Sequence, residues 1–217
     1  MGVSALLEVA GLTKRYGDRT VLDHIDLRVE DGEAVLLTGA NGAGKSTLLR
    51  CVIGAEPVDE GTVHIIGAPM DEREVSIRTA VAAVTDDLDF FPDLSVVEHL
   101  DLFARAHSVP DAETVVDDVL NDIGLIDQSG QMPGTLSSGQ RRRLALASAL
   151  VRPFKLLILD EPEQRLDADG LTWLAARLAR ARDDGAGLLV ASHSPILIDN
   201  LADRVVRLGD GPDDSDG

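Results

Sequence analysis

The chain has 217 residues, of which 44% are hydrophobic and 27% are charged. This size and composition suit one globular domain, with or without a small subdomain, and exclude a disordered chain, a collagen and a small disulfide scaffold. A net charge of -18 argues against duplex nucleic acid as the main ligand, because phosphate backbones bind clustered cations. The one cysteine, Cys51, cannot form an intramolecular disulfide, so we expect a reducing compartment.

The hydropathy pattern argues against a membrane-embedded protein. No apolar run approaches the about 18 residues that a membrane-spanning helix requires. Residues 1–12 carry Glu8 within their apolar stretch and have no basic leader, so we expect neither a signal peptide nor a membrane span. Any association with a membrane is then expected to come through a partner.

The N-terminal part of the chain has the pattern of strands. Its segments either alternate apolar with polar residues or are apolar throughout, and turn residues bound them. The strands predicted in this way cover residues 6–9, 20–22, 25–29 and 34–37. The last of them is expected to be buried and parallel. Asp31 and Gly32, just before it, predict a hairpin-type turn.

Strands and helices alternate further along the chain, which predicts a mostly parallel α/β sheet. The further strands are 61–66 at a sheet edge, 80–84, 156–159 and 188–191, and the helices are 46–52, 141–150 and 171–181. Apolar residues recur at helical spacing over 95–124, and we interpret about 87–145 as a helical insertion. Residues 1–208 are predicted to form one domain, and the aspartate-rich segment 209–217 a disordered tail.

A complete phosphate-binding pattern follows the apolar strand 34–37. The chain there has the run Gly39-Ala40-Asn41-Gly42-Ala43-Gly44-Lys45-Ser46, which fits G-x-x-x-x-G-K-[ST]. Small residues let backbone N–H groups curl around a phosphate, and a helix N-terminus adds partial positive charge. Lys45 then supplies a cation to the β- and γ-phosphates, and Ser46 a hydroxyl to Mg²⁺. The pattern predicts binding of a nucleoside triphosphate rather than a plain glycine turn.

Two adjacent carboxylates end the apolar strand 156–159. Asp160 and Glu161 precede Pro162, at the end of a parallel strand where ligands bind in such sheets. Successive strand residues point in opposite directions, so the two acids can have different roles. We expect Asp160 to hold Mg²⁺ through water and Glu161 to polarise the attacking water. Without the phosphate-binding loop upstream, the same pair would suit an ordinary strand end.

A third motif identifies a resemblance. Residues Leu136-Ser137-Ser138-Gly139-Gln140 precede an arginine-rich helix, and Ser and Gly at a helix start form an anion-binding end. Taken alone, this segment also suits an ordinary helix N-cap. Its position shortly before Asp160 and Glu161 makes it resemble the LSGGQ signature of the ATP-binding cassette family. The resemblance extends over about residues 5–208.

The resemblance implies roles for matching residues. Tyr16 resembles the aromatic residue that stacks on adenine, although an edge-strand tyrosine would fit the same local pattern. Ser137 and Gly139 resemble the groups that reach a γ-phosphate held by the opposite subunit. Asp167 resembles the acid of the D-loop, which crosses the dimer interface, and His193 resembles the switch histidine. The implied nucleotide-binding residues are Tyr16, Gly39, Asn41, Gly42, Ala43, Gly44, Lys45, Ser46, Thr47, Ser137, Gly139, Gln140 and Asp167, and the catalytic ones are Lys45, Glu161 and His193.

The chain departs from the family pattern at three places. Asp86 stands where the family usually has a glutamine, and it either ligates Mg²⁺ as a third metal residue beside Ser46 and Asp160 or points to solvent. Ser138 replaces a signature glycine, which would be costly at a positive φ. The segment 163–165 replaces a small, neutral part of the D-loop and adds two charges near the expected dimer interface. These charges either pair across the interface or repel until nucleotide joins the halves.

Several other residues are interpreted as structural. Cys51 is expected to be buried, and Trp173 is expected to pack its helix against the rest of the protein rather than to stack on a ligand. The arginines at 141–143 are expected to form a solvated helix face with acidic partners rather than a nucleic-acid patch. No role is assigned to the remaining histidines, which are His24, His64, His99 and His107.

Together these observations predict an α/β P-loop NTPase fold, with a RecA-like, mostly parallel sheet, an N-terminal antiparallel β subdomain and a helical insertion that carries the signature. The resemblance implies an ATPase with ATP and Mg²⁺ as cofactors, which forms a homodimer or a heterodimer of such subunits around two ATP molecules and powers a separate membrane permease. We expect a cytoplasmic subunit on the inner face of the cell membrane, without nucleic acid. The alternatives are a cluster-assembly ATPase without transport and a weakly hydrolysing regulatory subunit.

Overall fold

The structure, a computed structural model, describes residues 5–85 and 89–209. The strands are β1 (Ala5–Tyr16), β2 (Arg19–Glu30), β3 (Ala34–Thr38), β4 (Glu60–Ile65), β5 (Ala68–Pro69), β6 (Val81–Val84), β7 (Leu156–Asp160), β8 (Gly187–Ala191) and β9 (Arg204–Arg207). The helices are α1 (Lys45–Val52), α2 (Val75–Ala80), α3 (Val96–Ala106), α4 (Ala112–Asp122), α5 (Ser138–Leu150), α6 (Ala168–Asp183) and α7 (Pro195–Leu201).

The smaller sheet is antiparallel and contains the N-terminal strands in the order β2-β1-β4-β5. The tight turn that joins β1 to β2 places Tyr16 opposite Arg19. The predicted edge strand, β4, lies between β1 and the two-residue strand β5. The turn at Asp31 and Gly32 is present, but it does not make a hairpin, because β2 and β3 belong to different sheets. Gly32 N–H instead donates to the carbonyl oxygen of Gly185, before β8.

The larger sheet is parallel throughout, in the order β6-β7-β8-β3-β9. Its three central strands are fully or almost fully buried, as their uninterrupted apolar sequences predict. Alternate residues of β3 face opposite sides, so that Val35 packs in the core with α1 and the smaller sheet, and Leu36 packs in the core with α6 and α7. The loops after β3, β7 and β8 leave neighbouring strands at the same edge of the sheet. The fold class predicted from the sequence is confirmed.

A third core lies within the helical part of the chain, α3 to α5. Leu100 of α3 and Leu120 of α4 are fully buried in it together with Leu144 of α5. The next residues of α5, Ala145 and Leu146, pack in the sheet core instead. The arginine-rich helix is therefore shared by both cores and continues to Leu150, past the predicted end of the insertion at about residue 145.

Four short strands and α-helices were not predicted from the sequence. They are β5, α2, α7 and β9, and all of them have seven residues or fewer, which is too short for a clear periodicity. Cys51 is buried as expected, and Trp173 packs between the sheet core and the helical core. Within the ranges that the structure describes, no helix is both long and apolar enough to span a membrane.

Candidate functional site

The glycine-rich loop between β3 and α1 has a backbone that larger residues would not allow. Gly39 adopts a φ of 142°, and a Cβ at this position would lie 2.4 Å from the carbonyl oxygen of Leu208. Gly44 adopts a φ of 95°, and its Cβ would lie 2.7 Å from the side chain of Leu22. No side chain in the described ranges caps α1, so its first N–H groups can bind an anion.

Lys45 lies inside this loop rather than in solvent. Its side chain is buried, and Nζ donates to the carbonyl oxygens of Gly39 at 2.9 Å and of Ala40 at 3.4 Å. The ammonium group is thereby positioned beside the backbone N–H groups of the loop. A triphosphate bound by these N–H groups would contact a cation that the protein has already desolvated.

The loop opens into a cavity of about 610 Å³. Its lining residues are Tyr16, Arg19, Val21, Asn41, Gly42, Gly44, Lys45, Ser46, Thr47, Arg50 and Glu161. The structure thus places most of the residues that were predicted to bind nucleotide around one cavity. Two cations of this cavity, Arg19 and Arg50, were not predicted from the sequence. The position of Arg19, opposite Tyr16 across the tight turn between β1 and β2, is the signal that could have identified it.

Tyr16 has a fixed hydroxyl and an open ring. Its hydroxyl donates to Glu56, whose other oxygen lies 2.8 Å from Nε of Arg50. The hydrogen bond to Glu56 and then burial raise the pKa of Tyr16, although Thr47 acts in the opposite direction. Lys14 Nζ lies over the ring, 5.3 Å from its centroid, and the residue is 46% exposed at the cavity rim, where a planar base could stack on it.

The two acids at the end of the buried strand β7 lie in different environments. Asp160, the last residue of β7, is only 4% exposed. Glu161 adopts a left-handed φ of 42°, lines the cavity and accepts a hydrogen bond from Gln164. His193, after the adjacent strand β8, has its Nε2 3.8 Å from Oε1 of Glu161. Glu161, which lines the cavity together with the phosphate-binding loop, and His193 therefore lie close together.

Arg142 overturns the expectation of a solvated arginine face. It is 7% exposed, and its guanidinium donates to the carbonyl oxygens of Asp160 at 2.7 Å and Glu161 at 2.8 Å. A guanidinium has five N–H donors in a planar fork, which suits several adjacent carbonyls. Arg141 is exposed as expected, and Arg143 has the predicted acidic partner, since it lies 2.8 Å from Asp167.

The signature segment forms the N-terminus of α5. Ser137 Oγ accepts from the N–H of Gln140 at 3.2 Å, and the Gln140 side chain accepts from the N–H of Ser137 at 2.9 Å. This reciprocal pair is a capping box. Ser138 is the first helical residue and has no positive φ, so the serine in place of glycine causes no backbone strain. A Cβ on Gly139 would lie 3.0 Å from the carbonyl oxygen of Arg165.

The D-loop residue Asp167 is held by two groups. Its Oδ1 accepts from the N–H of Gly170, at the start of α6, and from Arg143, each at 2.8 Å. These hydrogen bonds, that from Gly170 first, lower the pKa of Asp167. A cavity of about 310 Å³ lies at this surface and is lined by Gly124, Leu125, Ser137, Gly139, Gln140, Arg143, Arg165 and Asp167. None of these described residues lines the cavity at the phosphate-binding loop.

The two charges in the segment 163–165 face in different directions. Arg165 is exposed, adopts a left-handed φ of 64° and lines the signature cavity. Glu163 points into its own chain, where its Oε1 accepts from Ser192, His193 and Ser194. The carboxylate of Glu163 is therefore bonded within its own chain, and the pairing or repulsion of these charges across a dimer interface stays a prediction.

The residues proposed for the metal fit Mg²⁺ only together with a phosphate ligand. Within the described ranges, no group of three or more His, Cys, Asp or Glu side chains gathers to hold a metal. Ser46 is the last residue of the phosphate-binding motif, and Asp160 ends β7, which β8 separates from β3, so that both supply hard oxygen donors. Mg²⁺ is bound in this way, by one or two protein groups, waters and substrate phosphates. Asp86, the third predicted ligand, lies outside the described residues.

Comparison with known proteins gives a consistent result. The family model for the ABC transporter matches residues 22–164. The SkfA peptide export ATP-binding protein SkfE of Bacillus subtilis is 34% identical over 95% of this chain and 86% of its own length. The phosphonates import ATP-binding protein PhnC 1 of Natronomonas pharaonis is 35% identical over 95% of this chain and 91% of its own. A solved structure of an ATP-binding subunit of an ABC transporter superposes with a TM-score of 0.87 at 29% identity, covering 94% of this chain and 85% of that one.

Proposed function

Because the chain belongs to the ABC transporter family, we propose that it is the ATP-hydrolysing subunit that dimerises around two ATP molecules and drives a separate membrane permease. The named relatives serve peptide export and phosphonate import as ATP-binding proteins, which supports transport over the cluster-assembly alternative. The position proposed for the subunit is the cytoplasmic face of the membrane, against its permease. Residues 1–208 are proposed as its ATPase domain.

The observation that carries the dimer proposal is the separation of two surfaces. The phosphate-binding loop and Glu161 line one cavity, whereas Ser137, Gly139 and Asp167 line another. If both surfaces act on one γ-phosphate, as the family resemblance implies, the second must come from another subunit. Two copies related by a two-fold axis would complete two sites at once, because each copy supplies one surface of each kind.

The proposed hydrolysis relies mainly on positioning and charge. The loop N–H groups and Lys45 hold the phosphates, and Tyr16 stacks on the base. Glu161 orients the attacking water and accepts its proton, with His193 next to it at 3.8 Å. When bound by Ser46 and, through water, by Asp160, Mg²⁺ supplies neutralisation of the β- and γ-phosphate charge. Asp86 stays a prediction as an additional ligand.

The variant Glu161→Gln tests this proposal. Glutamine retains the size of the side chain but cannot act as a base, and it removes one negative charge near the interface. We expect ATP binding without turnover, and a doubled molar mass in light scattering when Mg-ATP is added. Glu113→Gln, the same change at an exposed position of α4, should behave as the parent chain. A Glu161→Gln variant that remains monomeric at every ATP concentration would contradict the dimer.

A further inference from the structure

One carboxylate outside the catalytic set organises the loop that carries His193. Oε1 of Glu163 lies 2.6 Å from Ser192 Oγ, 3.0 Å from the backbone N of His193 and 3.2 Å from the backbone N of Ser194. These three residues, 192–194, are called the switch loop below. All three donors converge on a single oxygen, and hydrogen bonds to an ionised acceptor are stronger than neutral ones.

The same short segment also holds the partner of His193. Gln164, the residue after Glu163, donates to Oε2 of Glu161, and Oε1 of Glu161 lies 3.8 Å from Nε2 of His193. Glu163 and Gln164 thus fix the two sides of the contact between Glu161 and His193. The distance across that contact depends on both residues.

The environment of Glu163 destabilises the ionised form of its carboxylate on one side. Its second oxygen, Oε2, is buried and accepts no hydrogen bond from the described residues. Leaving a charged oxygen in this state costs free energy, which the three donors on Oε1 must offset.

We propose that Glu163 is a positioning residue for ATP hydrolysis, which ties the D-loop to the switch loop and sets the place of His193 beside Glu161. The inference rests on the proposed function, since it assigns a role within the same catalytic site. Arg165 is exposed two residues further along the chain, at the surface proposed to meet the second subunit. A contact made there would reach His193 of the same chain through Glu163.

In the full chain, Glu163→Ala should lower the turnover of ATP hydrolysis and leave the affinity for ATP almost unchanged. We expect kcat for ATP hydrolysis to fall about tenfold or more, because small displacements of catalytic groups are costly. The Kd for Mg-ATP should stay within about twofold, since the phosphate-binding loop is not touched. Glu163→Gln, which retains an acceptor oxygen, should recover most of the turnover. Equal turnover in Glu163→Ala and the parent chain would overturn the inference.

A double-mutant cycle with His193→Ala distinguishes positioning from general stability. If Glu163 acts through His193, adding Glu163→Ala to His193→Ala should cause no further loss of turnover, whereas an independent structural role predicts multiplied losses. Glu98→Ala is the matched control, because Glu98 likewise accepts from a backbone N–H and a hydroxyl, both of Ser95, and lines neither of the two cavities. Its turnover should equal that of the parent chain.

Hydrogen exchange tests the contact without any turnover. The amides of His193 and Ser194 should be protected in the parent chain and in Glu163→Gln, and exchange faster in Glu163→Ala. A parent chain that does not hydrolyse ATP would contradict the proposed function, while the amide result would still decide the contact. Unchanged exchange in Glu163→Ala would overturn the inference in either case.

Discussion

The two helices that begin at functional motifs, α1 and α5, differ in how their N-termini are satisfied. At α1 the N-cap is Gly44, in a left-handed conformation, and no described side chain bonds to the first turn. At α5 the N-cap is Ser137, and it exchanges hydrogen bonds with Gln140 in a capping box. One helix start leaves its donors to a ligand, and the other uses its own side chains.

This difference indicates how each motif responds to nucleotide. An uncapped helix start is stabilised by an anion, which supplies what a capping side chain would otherwise supply. A helix start with a capping box is stable by itself, and its side chains are held in place before a second subunit arrives. We therefore expect changes at α1 to act first on ATP binding, and changes at α5 to act on stability and turnover.

The largest effect is expected from Lys45→Ala. It removes the cation that lies within the loop, so ATP binding should weaken and turnover should fall to the background of the assay. Phosphate release and a titration with labelled ATP measure the two quantities. Lys155→Ala, at an exposed position before β7, controls for the loss of a lysine. Near-parental turnover in Lys45→Ala would remove the catalytic assignment of this loop.

A smaller effect is expected at the N-cap of α5, where one change affects stability and turnover separately. Ser137→Ala loses the cap, which costs about 1 kcal/mol and lowers the melting temperature by about 2–4 °C in a chain of this size. Ser137→Asn retains a capping oxygen and should retain the stability. Turnover should fall in both variants, because neither has the serine hydroxyl proposed to reach the γ-phosphate. If Ser137→Asn hydrolyses ATP like the parent chain, the cap is the only role of this residue.

The sequence predicted best those parts of the molecule that local chemistry determines. The loop before Lys45 needs glycines wherever its backbone turns, and Asp160 and Glu161 end a strand that is apolar throughout, so both motifs are visible without tertiary information. The turn at Asp31 and Gly32 shows the limit of such signals. A turn indicates that the chain changes direction, but the partner of the next strand is chosen by distant residues, here those of β8 and β9.

Side-chain direction was the part that the sequence could not give. Arg142 lies in a run of arginines that looks like a solvated face, yet the close packing of α5 against the end of β7 buries it on three carbonyls. Glu163 looks like a surface charge, but β8 brings the switch loop to it from far along the chain. Both residues satisfy backbone groups of other segments, and no local pattern reports such an arrangement.

The smallest effect is expected at Tyr16, which lines the cavity at the phosphate-binding loop and donates a hydrogen bond to Glu56. Ionising the phenol would remove this hydrogen bond and place a phenolate beside a carboxylate, which is why the pKa of Tyr16 is raised above its usual value of 10.0. The chain has one tyrosine, so its alkaline ultraviolet difference spectrum reports this residue alone. Glu56→Gln should move the titration to lower pH, since the neutral amide can still accept the hydrogen bond but does not repel the phenolate. Because the ring face stays exposed, ATP affinity should change far less than in Lys45→Ala. Superimposable titrations of the two proteins would show that the negative charge of Glu56 does not raise the pKa of Tyr16.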